Sequence, residues 1–555
     1  MAELEGHGGD IAVAIAKAHG VETMFTLSGA HVFPLYDAAV GGKEQPQPAP
    51  LRLVDVRHEQ TAVFAAEATG KLTRTPGLAV VTAGPGVTNS VSAIAQAYFT
   101  GVPMVVLGGR APTQSWGKGS LQELDHPPLV APVTKLARTV SRVEDIAPVI
   151  AEAFRVAATP HLGPTFVDVS MDQLYSRTTV ELDAPAAAER VAPDPDAIAE
   201  IATLLSEASR PVFILGSDVW LSGAETAALA VVEALGVPAI TNGMGRGVLP
   251  AGHPLLVTKA RSTAFGQCDL AVVIGTPLDF RLAYGTFGGK NEAPPAKVVH
   301  LADSRGQIAQ HASLAASASG DLTLVLEGLL AAFEQLLRRP SWVDWVSALQ
   351  DGVRAGAERD AALLSASADP IHPARIYGEL RGLLASDAVV IGDGGDFVSF
   401  AGKYVEPGAA GCWLDPGPFG CLGAGLGAAI AARLARPSSQ VVLLLGDGAA
   451  GMSLMDVDTL VRHKLPVVMV VGNNGIWGLE KGPMQMLYGY DVAADLQPGT
   501  PYDAIVKALG GAGETVRRAE DVKPALQRAF DAGVPYLVNV LTDPAAAYPR
   551  STFGV

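Results

Sequence analysis

The chain has 555 residues, of which 49% are apolar and 17% charged, so we expect three or four domains with full cores and little disorder. A net charge of −16 without a basic stripe argues against nucleic acid as a partner. Three cysteines without metal-type spacing argue against a disulfide framework or zinc site, and the absence of a signal sequence and of membrane-length apolar runs predicts a cytoplasmic enzyme that does not contact a membrane.

Short β-branched runs alternate with amphipathic stretches rich in Ala and Leu. In the first third, buried parallel strands are predicted at VETMFTL, LAVVTA, VPMVVLGG and PTFVDVS, and helices at TAVFAAEATGKLTR and TNSVSAIAQAYFTG. The middle third repeats the pattern with RPVFILGSD, VPAITN, LAVVIG and KVVHLADS, and the last third with AVVIGDGG, QVVLLLGDG, LPVVMVVGNN and PYLVNVLTD. This alternation predicts an α/β fold of doubly wound parallel sheets.

Two segments rich in Ala, Pro and Asp interrupt the pattern, at residues 181–197 and 364–376. Such a composition is typical of exposed boundaries between domains. We therefore predict three doubly wound domains, which cover residues 1–182, 190–350 and 365–555.

The most specific local pattern lies in the last third, where an apolar strand leads into Gly446-Asp447-Gly448 and a second strand leads, after 24 residues, into a pair of asparagines that ends at Asn474. Ligands collect at the carboxyl ends of the strands of an open parallel sheet. Asp447 and Asn474 offer a carboxylate and an amide oxygen there, which suits a magnesium ion that also binds phosphate oxygens. Gly446 and Gly448 let the backbone approach those phosphates, and the start of the helix adds partial positive charge.

Glu59 follows a predicted strand of the first third, in the run VDVRHEQTAV. By itself, an acid at this place is explained by a favourable interaction with the helix dipole. The Gly-Asp-Gly and Asn-Asn pattern, however, matches the cofactor motif of thiamine-diphosphate enzymes. Their chemistry needs a carboxyl group hydrogen-bonded to the aminopyrimidine ring, since that bond favours the imino tautomer, which removes the proton from thiazolium C2. We therefore assign this role to Glu59.

Nearly the whole chain resembles the acetolactate-synthase-like branch of thiamine-diphosphate enzymes, which also contains 2-hydroxyacyl-CoA lyase, oxalyl-CoA decarboxylase and benzaldehyde lyase. The resemblance rests on LSGAHVFPLYDA, TAGPGVTN, GSLQELD, GMGRGVLPAGHPL, DFRLAYG, GDGGDF, WLDPGPFGCLGAGLG and NNGIWGLEKGPM. It implies pyrimidine-binding, central and diphosphate-binding domains, in that order. It also implies a homodimer or homotetramer whose active sites lie between the pyrimidine-binding domain of one subunit and the diphosphate-binding domain of another.

The resemblance further assigns residues to the cofactor and the metal. It places Gly395 and Asp396 in a loop that meets the diphosphate, and Leu422 under the cofactor, where a bulky apolar side chain enforces a bent conformation. The backbone carbonyl of Ile476 would bind magnesium together with Asp447. Cofactor contacts are also expected from Gly446, Gly448, Ala449, Asn474 and Leu479.

Three residues besides Glu59 are assigned to catalysis by resemblance. Gln122 matches a glutamine that reaches the reacting centre, and His31 matches a histidine that benzaldehyde lyase uses for proton transfer; an exposed loop histidine is the alternative for His31. Glu480 lies in the segment over the cofactor, where a glutamate of some 2-hydroxyacyl-CoA lyases shuttles a proton. Desolvation there would suit Glu480 to acid–base work, whereas on a surface helix it would pair with Lys481 or face solvent.

We therefore expect an enzyme that cleaves or forms a carbon–carbon bond next to a carbonyl of a small-molecule substrate. The lead hypothesis is a 2-hydroxyacyl-CoA substrate that gives an aldehyde or ketone plus formyl-CoA. The alternatives are acetolactate synthase, which decarboxylates pyruvate and adds the product to a second 2-oxoacid, and a benzaldehyde-lyase-like acyloin lyase. The synthases generally bind FAD in the central domain, but the present segments GMGRGVLPAGHPL and GTPLDFRLAYG differ from theirs. That difference argues against FAD and leaves an ADP moiety, of CoA or of a free nucleotide, as an alternative. A third hypothesis, a subunit that binds the cofactor but senses nucleotides or binds a partner, is disfavoured by the intact Glu59, Asp447 and Asn474.

Overall fold

The protein is described by a computed structural model that covers residues 2–41, 50–186, 188–290, 293–337 and 340–548. Its strands form three parallel sheets, which follow one another along the chain, and one antiparallel pair, β1 with β8. None of the helices in these ranges has the length and apolar character needed to cross a bilayer.

The first sheet has the strand order β3-β2-β4-β5-β7-β6. The strands of this part of the chain are β1 (Ala2–His7), β2 (Thr23–Thr26), β3 (Arg52–Asp55), β4 (Gly77–Val81), β5 (Met104–Arg110), β6 (Leu136–Val140), β7 (Pro164–Ser170) and β8 (Arg177–Leu182). The helices are α1 (Gly8–Ala18), α2 (Phe33–Val40), α3 (Glu59–Thr73), α4 (Pro85–Thr88), α5 (Val91–Thr100), α6 (Pro127–Val130), α7 (Ile146–Ala157) and α8 (Met171–Tyr175). Strands β4, β5 and β7 are buried at every position, as their unbroken apolar runs predict.

The central sheet has the order β10-β9-β11-β12-β13. Its strands are β9 (Pro211–Leu215), β10 (Ala239–Thr241), β11 (Leu270–Ile274), β12 (Lys297–Ala302) and β13 (Ala316–Ser319). Its helices are α9 (Pro195–Glu207), α10 (Ser217–Leu221), α11 (Glu225–Leu235), α12 (Arg261–Gln267) and α13 (Leu322–Glu334). The long helix α14 (Val343–Leu364) leads to the third sheet.

The third sheet has the order β15-β14-β16-β17-β19-β18. This order matches that of the first sheet when β2 and β14 are each counted as the first strand of their sheet. The strands are β14 (Val389–Asp393), β15 (Trp413–Leu414), β16 (Val441–Gly446), β17 (Val468–Asn473), β18 (Ala512–Val516) and β19 (Tyr536–Leu541). The helices are α15 (Pro373–Leu380), α16 (Asp396–Tyr404), α17 (Gly425–Ala435), α18 (Asp447–Ser453), α19 (Val457–Arg462), α20 (Gly478–Tyr488), α21 (Tyr502–Ala508) and α22 (Val522–Asp531).

The first and third sheets share one apolar core, in which α3 packs against α17. Phe64 and Leu426 are both fully buried in this core. Gly427 permits the close approach, because a Cβ atom there would lie 2.8 Å from the carbonyl oxygen of Thr61. The central sheet has its own core, and so do the outer faces of the first and third sheets. The shared core therefore fixes the first and third sheets relative to each other.

The predicted fold class, three doubly wound parallel sheets, is confirmed. The edge strands β6, β13, β15 and β18 escape the sequence pattern, because three of them are largely half-buried or exposed and β15 has only two residues. The domain bounds stay a prediction. Helix α14 passes without interruption through residue 350, where the central domain is predicted to end.

Candidate cofactor site

A cavity of about 430 Å³ opens at the carboxyl edge of the third sheet, which we call the third-sheet cavity. It lies where the loops after β14 and β16 meet, and the strand order of the sheet reverses at this point. Open α/β sheets bind their ligands in this position. The lining residues used below are Asn242, Phe280, Arg281, Gly395, Asp396, Leu422, Gly446, Asp447, Gly448, Ala449, Asn474, Ile476, Leu479 and Glu480. All the residues assigned to diphosphate and metal from the sequence are thus in one place.

Asp447 is a buried carboxylate at the bottom of this edge, with only 3% of its surface exposed. Its Oδ2 accepts the N–H of Gly475 at 2.7 Å and its Oδ1 accepts the N–H of Gly448 at 3.1 Å. Burial raises the pKa of Asp447 to about 6, although these backbone N–H groups lower it. Because a buried carboxylate costs free energy unless a cation faces it, this donor set fits a magnesium ion.

The two consecutive asparagines after β17 point in different directions. Asn473 is buried, and its Nδ2 donates to the Thr500 carbonyl at 2.9 Å and to Asn539 Oδ1 at 3.1 Å. Asn474 lines the third-sheet cavity, and so does Ile476, whose N–H donates to Asn474 Oδ1 at 3.2 Å. The second asparagine is therefore the one available to a cation, as the sequence predicts.

The glycines of the cavity serve two different purposes. A Cβ atom on Gly446 would meet only the Cα of Gly394, at 3.8 Å, so the space beside it is open to a ligand. A Cβ atom on Gly448 would lie 2.4 Å from the Trp477 ring, and one on Gly395 would lie 2.5 Å from Leu479 Cδ1. Gly448 and Gly395 are therefore also required by the packing of their neighbours.

Asp393 supports the wall of the cavity that carries Leu422, although the sequence did not single it out. It is fully buried, and its two carboxylate oxygens accept the N–H groups of Gly423 at 3.0 Å and Gly425 at 2.7 Å. Burial raises the pKa of Asp393 to about 6. Residues 392–394 repeat the Gly-Asp-Gly of residues 446–448, and this repeat is the signal that could have identified Asp393.

Glu480 lies in the first turn of α20 and lines the cavity, but its side chain is exposed. The single chain therefore does not provide the desolvation that acid–base work by Glu480 requires. Its neighbour Lys481 pairs with Asp491 and Asp495. The catalytic role of Glu480 stays a prediction.

The remaining predicted residues, Glu59, His31 and Gln122, lie at the carboxyl edge of the first sheet and are called the first-domain group. Thr82 follows β4 and connects two of them, because its Oγ1 lies 3.2 Å from His31 Nδ1 and donates to Gln122 Oε1 at 3.4 Å. Glu59 begins α3 and accepts a hydrogen bond from Asn89 Nδ2 at 3.1 Å.

His31 is only 5% exposed, so it is not an exposed loop histidine. Burial lowers the pKa of His31, which keeps the ring neutral at pH 7. A Cβ atom on Gly109 would lie 2.4 Å from His31 Cβ, so glycine is required behind the ring. A neutral, fixed imidazole can accept or donate a proton, as the predicted role of His31 requires.

A buried histidine that the sequence did not indicate positions the loop beside Gln122. His126 Nε2 accepts the N–H of Gly84 at 2.9 Å, and its Nδ1 donates to Asp168 at 2.7 Å. Gln122 has a φ of +58°, and a Cβ atom on Gly84 would lie 2.9 Å from its Cβ. His126 thus holds the loop that supports an unusual backbone conformation at Gln122.

The first-domain group does not line the third-sheet cavity of its own chain. Within the described residues, the structure brings Asp447, Asn474 and Ile476 together, and separately His31 and Gln122. Asp447 lines the third-sheet cavity, whereas Glu59 is not among the described residues that line it. The two groups therefore lie at the carboxyl edges of two different sheets of the chain.

Three family models match the chain, and each describes one domain of the thiamine pyrophosphate enzymes. Thiamine pyrophosphate is another name for thiamine diphosphate. The N-terminal binding domain matches residues 6–129, the central domain residues 198–329 and the C-terminal binding domain residues 393–540. The chain belongs to the thiamine-diphosphate enzyme family. The third-sheet cavity is lined by residues of the C-terminal match and by Asn242, Phe280 and Arg281 of the central match. All of the first-domain group lies in the N-terminal match.

The chain is similar to proteins that carry two different names. The chain is 47% identical, over 98% of its length and 97% of theirs, to a probable acetolactate synthase of Mycobacterium bovis and to the acetolactate synthase large subunit IlvG of Mycobacterium tuberculosis. It is 34% identical to 2-hydroxyacyl-CoA lyase 2 of Caenorhabditis elegans, over 94% of this chain and 87% of the lyase. The human 2-hydroxyacyl-CoA lyase 2 is 33% identical to the chain, over 96% of this chain and 90% of the lyase.

Proposed function

We propose that this enzyme acts as an acetolactate synthase, which decarboxylates pyruvate and joins the two-carbon product to a second 2-oxoacid. The relatives at 47% identity carry that name, whereas those named 2-hydroxyacyl-CoA lyase 2 are 31–34% identical. The comparisons thus favour the alternative from the sequence over the lead hypothesis of a 2-hydroxyacyl-CoA lyase.

The position of Arg281 and its hydrogen bonds are the main support for the proposal. Arg281 lines the third-sheet cavity, and both carboxylate oxygens of Asp279 accept from its Nε and Nη2 at 2.7–3.1 Å. Its Nη1 has no hydrogen-bond partner among the residues described. Asn242 lines the same cavity, and its Nδ2 is buried without a partner. Two donors from the central domain therefore face the cavity, which suits the carboxylate that every 2-oxoacid carries.

The roles of the remaining residues follow from this assignment. Thiamine diphosphate, when bound, supplies the electron sink for bond cleavage next to a carbonyl. Asp447, Asn474 and the Ile476 carbonyl would hold the magnesium ion. Gly395, Asp396, Gly446, Gly448 and Ala449 would surround the diphosphate, with Leu422 and Leu479 against the rings.

A second copy of the chain would complete each site, because Glu59 does not reach the third-sheet cavity of its own chain. Glu59 would hydrogen-bond the aminopyrimidine ring, and the neutral His31 would exchange a proton with the substrate oxygen. Gln122, held through Thr82, would orient the same oxygen. The predicted dimer or tetramer and the cytoplasmic location stay predictions.

We infer that FAD does not bind at the carboxyl edge of the central sheet, where a nucleotide diphosphate would be expected. His161, Asp218 and Asp303 form a cluster there, with His161 Nδ1 2.9 Å from Asp303 Oδ2. Burial lowers the pKa of His161, but the carboxylates of Asp218 and Asp303 outweigh burial and raise this pKa to about 9. An anionic diphosphate would therefore face two carboxylates whose cationic partner, His161, is already taken. The residues that follow β9 and β11 also pack closely, since a Cβ atom on Gly216 would lie 2.2 Å from Thr276 Cβ.

We therefore expect the purified enzyme to be colourless and to bind neither FAD nor ADP at that edge. Absorption spectra before and after incubation with FAD measure this directly. One equivalent of bound flavin per chain would contradict the inference.

The reaction itself is tested with purified enzyme, thiamine diphosphate and magnesium, by product mass after incubation with pyruvate. We expect acetolactate. Arg281→Gln should lower kcat/KM for pyruvate about 10- to 100-fold, because a charge-assisted hydrogen bond to the carboxylate is lost. The matched control is Arg305→Gln, since Arg305 is exposed and does not line the cavity. Formyl-CoA from a 2-hydroxyacyl-CoA, with no acetolactate from pyruvate, would contradict the proposal.

A further inference from the structure

A second cavity, of about 560 Å³, lies where the first, central and third sheets meet, and we call it the junction cavity. It shares two lining residues, Phe280 and Pro418, with the third-sheet cavity. These two residues are therefore the common wall of a pair of neighbouring spaces. The third-sheet cavity is the one assigned above to the cofactor and the substrate carboxylate.

The backbone that carries Phe280 is fixed, although the Phe280 side chain is 56% exposed. Asp279 Oδ1 accepts the N–H of Arg281 at 2.9 Å and so caps this turn. Leu282 is fully buried and anchors the turn in the central core. Tyr284 has a φ of +53°, which turns the chain back sharply. The ring of Phe280 thus projects from a held turn into the space between the cavities.

The walls of the junction cavity are mostly apolar. They include Tyr98, Phe99, Leu162, Pro277 and Pro418. A polar substrate group would find few hydrogen-bond partners there. An aliphatic or aromatic group would instead be stabilised, because its apolar surface would be removed from water.

The two cations of the junction cavity are directed elsewhere. Lys135 Nζ donates to the carbonyls of Val156, Thr159 and His161, each at 2.6 Å. The imidazole of His161 pairs with Asp303. Lys135 Nζ and His161 Nδ1 therefore already have acceptors within the protein.

We propose that Phe280 limits the length of the substrate and that the junction cavity receives the apolar substituent of longer 2-oxoacids once they extend past this ring. The inference rests on the proposed function, since it assumes that the reacting 2-oxoacid lies in the third-sheet cavity. Phe280 is on this account a specificity residue, which contacts the substituent and not the reacting atoms.

The test compares kcat/KM for pyruvate, 2-oxobutyrate and 2-oxohexanoate as donors. In Phe280→Ala, the ratio of 2-oxohexanoate to pyruvate should rise about 10-fold or more, because each further methylene that enters an apolar cavity contributes about fourfold. Phe280→Trp should lower the same ratio. The matched control is Tyr284→Ala, since Tyr284 is exposed on the same turn but lines neither cavity. Melting temperatures and the dissociation constant for thiamine diphosphate should be unchanged in all three variants.

An unchanged ratio in Phe280→Ala, or an equal rise in Tyr284→Ala, would overturn the inference. Failure of the proposed function has a different signature, because the parent enzyme would then convert none of the 2-oxoacids. In that case, the same variants are compared on 2-hydroxyacyl-CoA thioesters of matched chain length. If Phe280 limits substrate length, Phe280→Ala should also raise the ratio of kcat/KM for long to short thioesters. An unchanged ratio would again overturn the inference.

Discussion

Replacing Asp447 by Asn should weaken binding of magnesium and thiamine diphosphate by more than about 100-fold and abolish turnover at ordinary cofactor concentrations. Loss of a residue that only orients a metal ligand already weakens metal binding about 10- to 100-fold, and here the anionic ligand itself is removed. Asparagine keeps the shape of aspartate and an oxygen that accepts from Gly448 or Gly475, so the fold should persist. Calorimetric titration with magnesium and thiamine diphosphate measures the effect.

The matched control is Asp458→Asn. Asp458 lies on α19, pairs with Arg462 at 2.8 Å and does not line the third-sheet cavity. Because surface ion pairs contribute little, this variant should bind the cofactor as the parent enzyme does. Parental cofactor affinity in Asp447→Asn would contradict the metal assignment.

Glu59→Gln should lower kcat about 10²- to 10⁴-fold, while the dissociation constant for the cofactor changes little. This range is the usual contribution of a positioned acid–base group, and glutamine cannot supply the proton that stabilises the imino tautomer. The variant should fold, because glutamine is isosteric with glutamate and can still accept from Asn89. Separate measurements of cofactor binding and of turnover distinguish this effect from that of Asp447→Asn.

Glu144→Gln is the matched control, since Glu144 is an exposed acid of the same part of the chain. Among the residues that the structure describes, its ion-pair partner is Arg142, at 3.5 Å. It should retain parental activity. Full activity in Glu59→Gln would remove the catalytic role of Glu59 and would favour a cofactor-binding subunit that senses nucleotides or binds a partner.

The residues that the sequence located well are those at the ends of buried strands. Asp447 and Asn474 were placed from local patterns alone, because the carboxyl ends of parallel strands necessarily meet at one edge of a sheet. The sequence could not show that Asn473 turns away from the cavity, since that depends on its hydrogen bonds to Thr500 and Asn539, which are distant along the chain.

The central-domain wall of the cavity could not be predicted from the sequence. Phe280, Arg281 and Asn242 reach the third-sheet cavity only because of how the central sheet packs against the third. No local periodicity encodes that contact. The matching strand orders of the first and third sheets also emerge only from pairing between distant strands. Contacts between residues that are far apart in the sequence therefore account for most of the features that could not be predicted.

The first-domain group and Asp447 lie at corresponding places in the first and third sheets. His31 and Thr82 follow β2 and β4, where the strand order of the first sheet reverses, and Asp447 follows β16, at the corresponding reversal in the third sheet. The shared core holds these two edges in fixed positions within one chain. We expect a symmetric pair of chains to bring the first-domain group of each copy to the third-sheet cavity of the other.

Mixing the two inactive variants, Glu59→Gln and Asp447→Asn, tests this arrangement most directly. If each site combines Glu59 of one chain with Asp447 of another, a dimer with one chain of each kind has one intact site. Random exchange of subunits should then restore about a quarter of the parental activity, since half of the dimers are mixed and half of their sites are intact. No activity after verified subunit exchange would contradict the account, because it would mean that Glu59 and Asp447 must belong to the same chain.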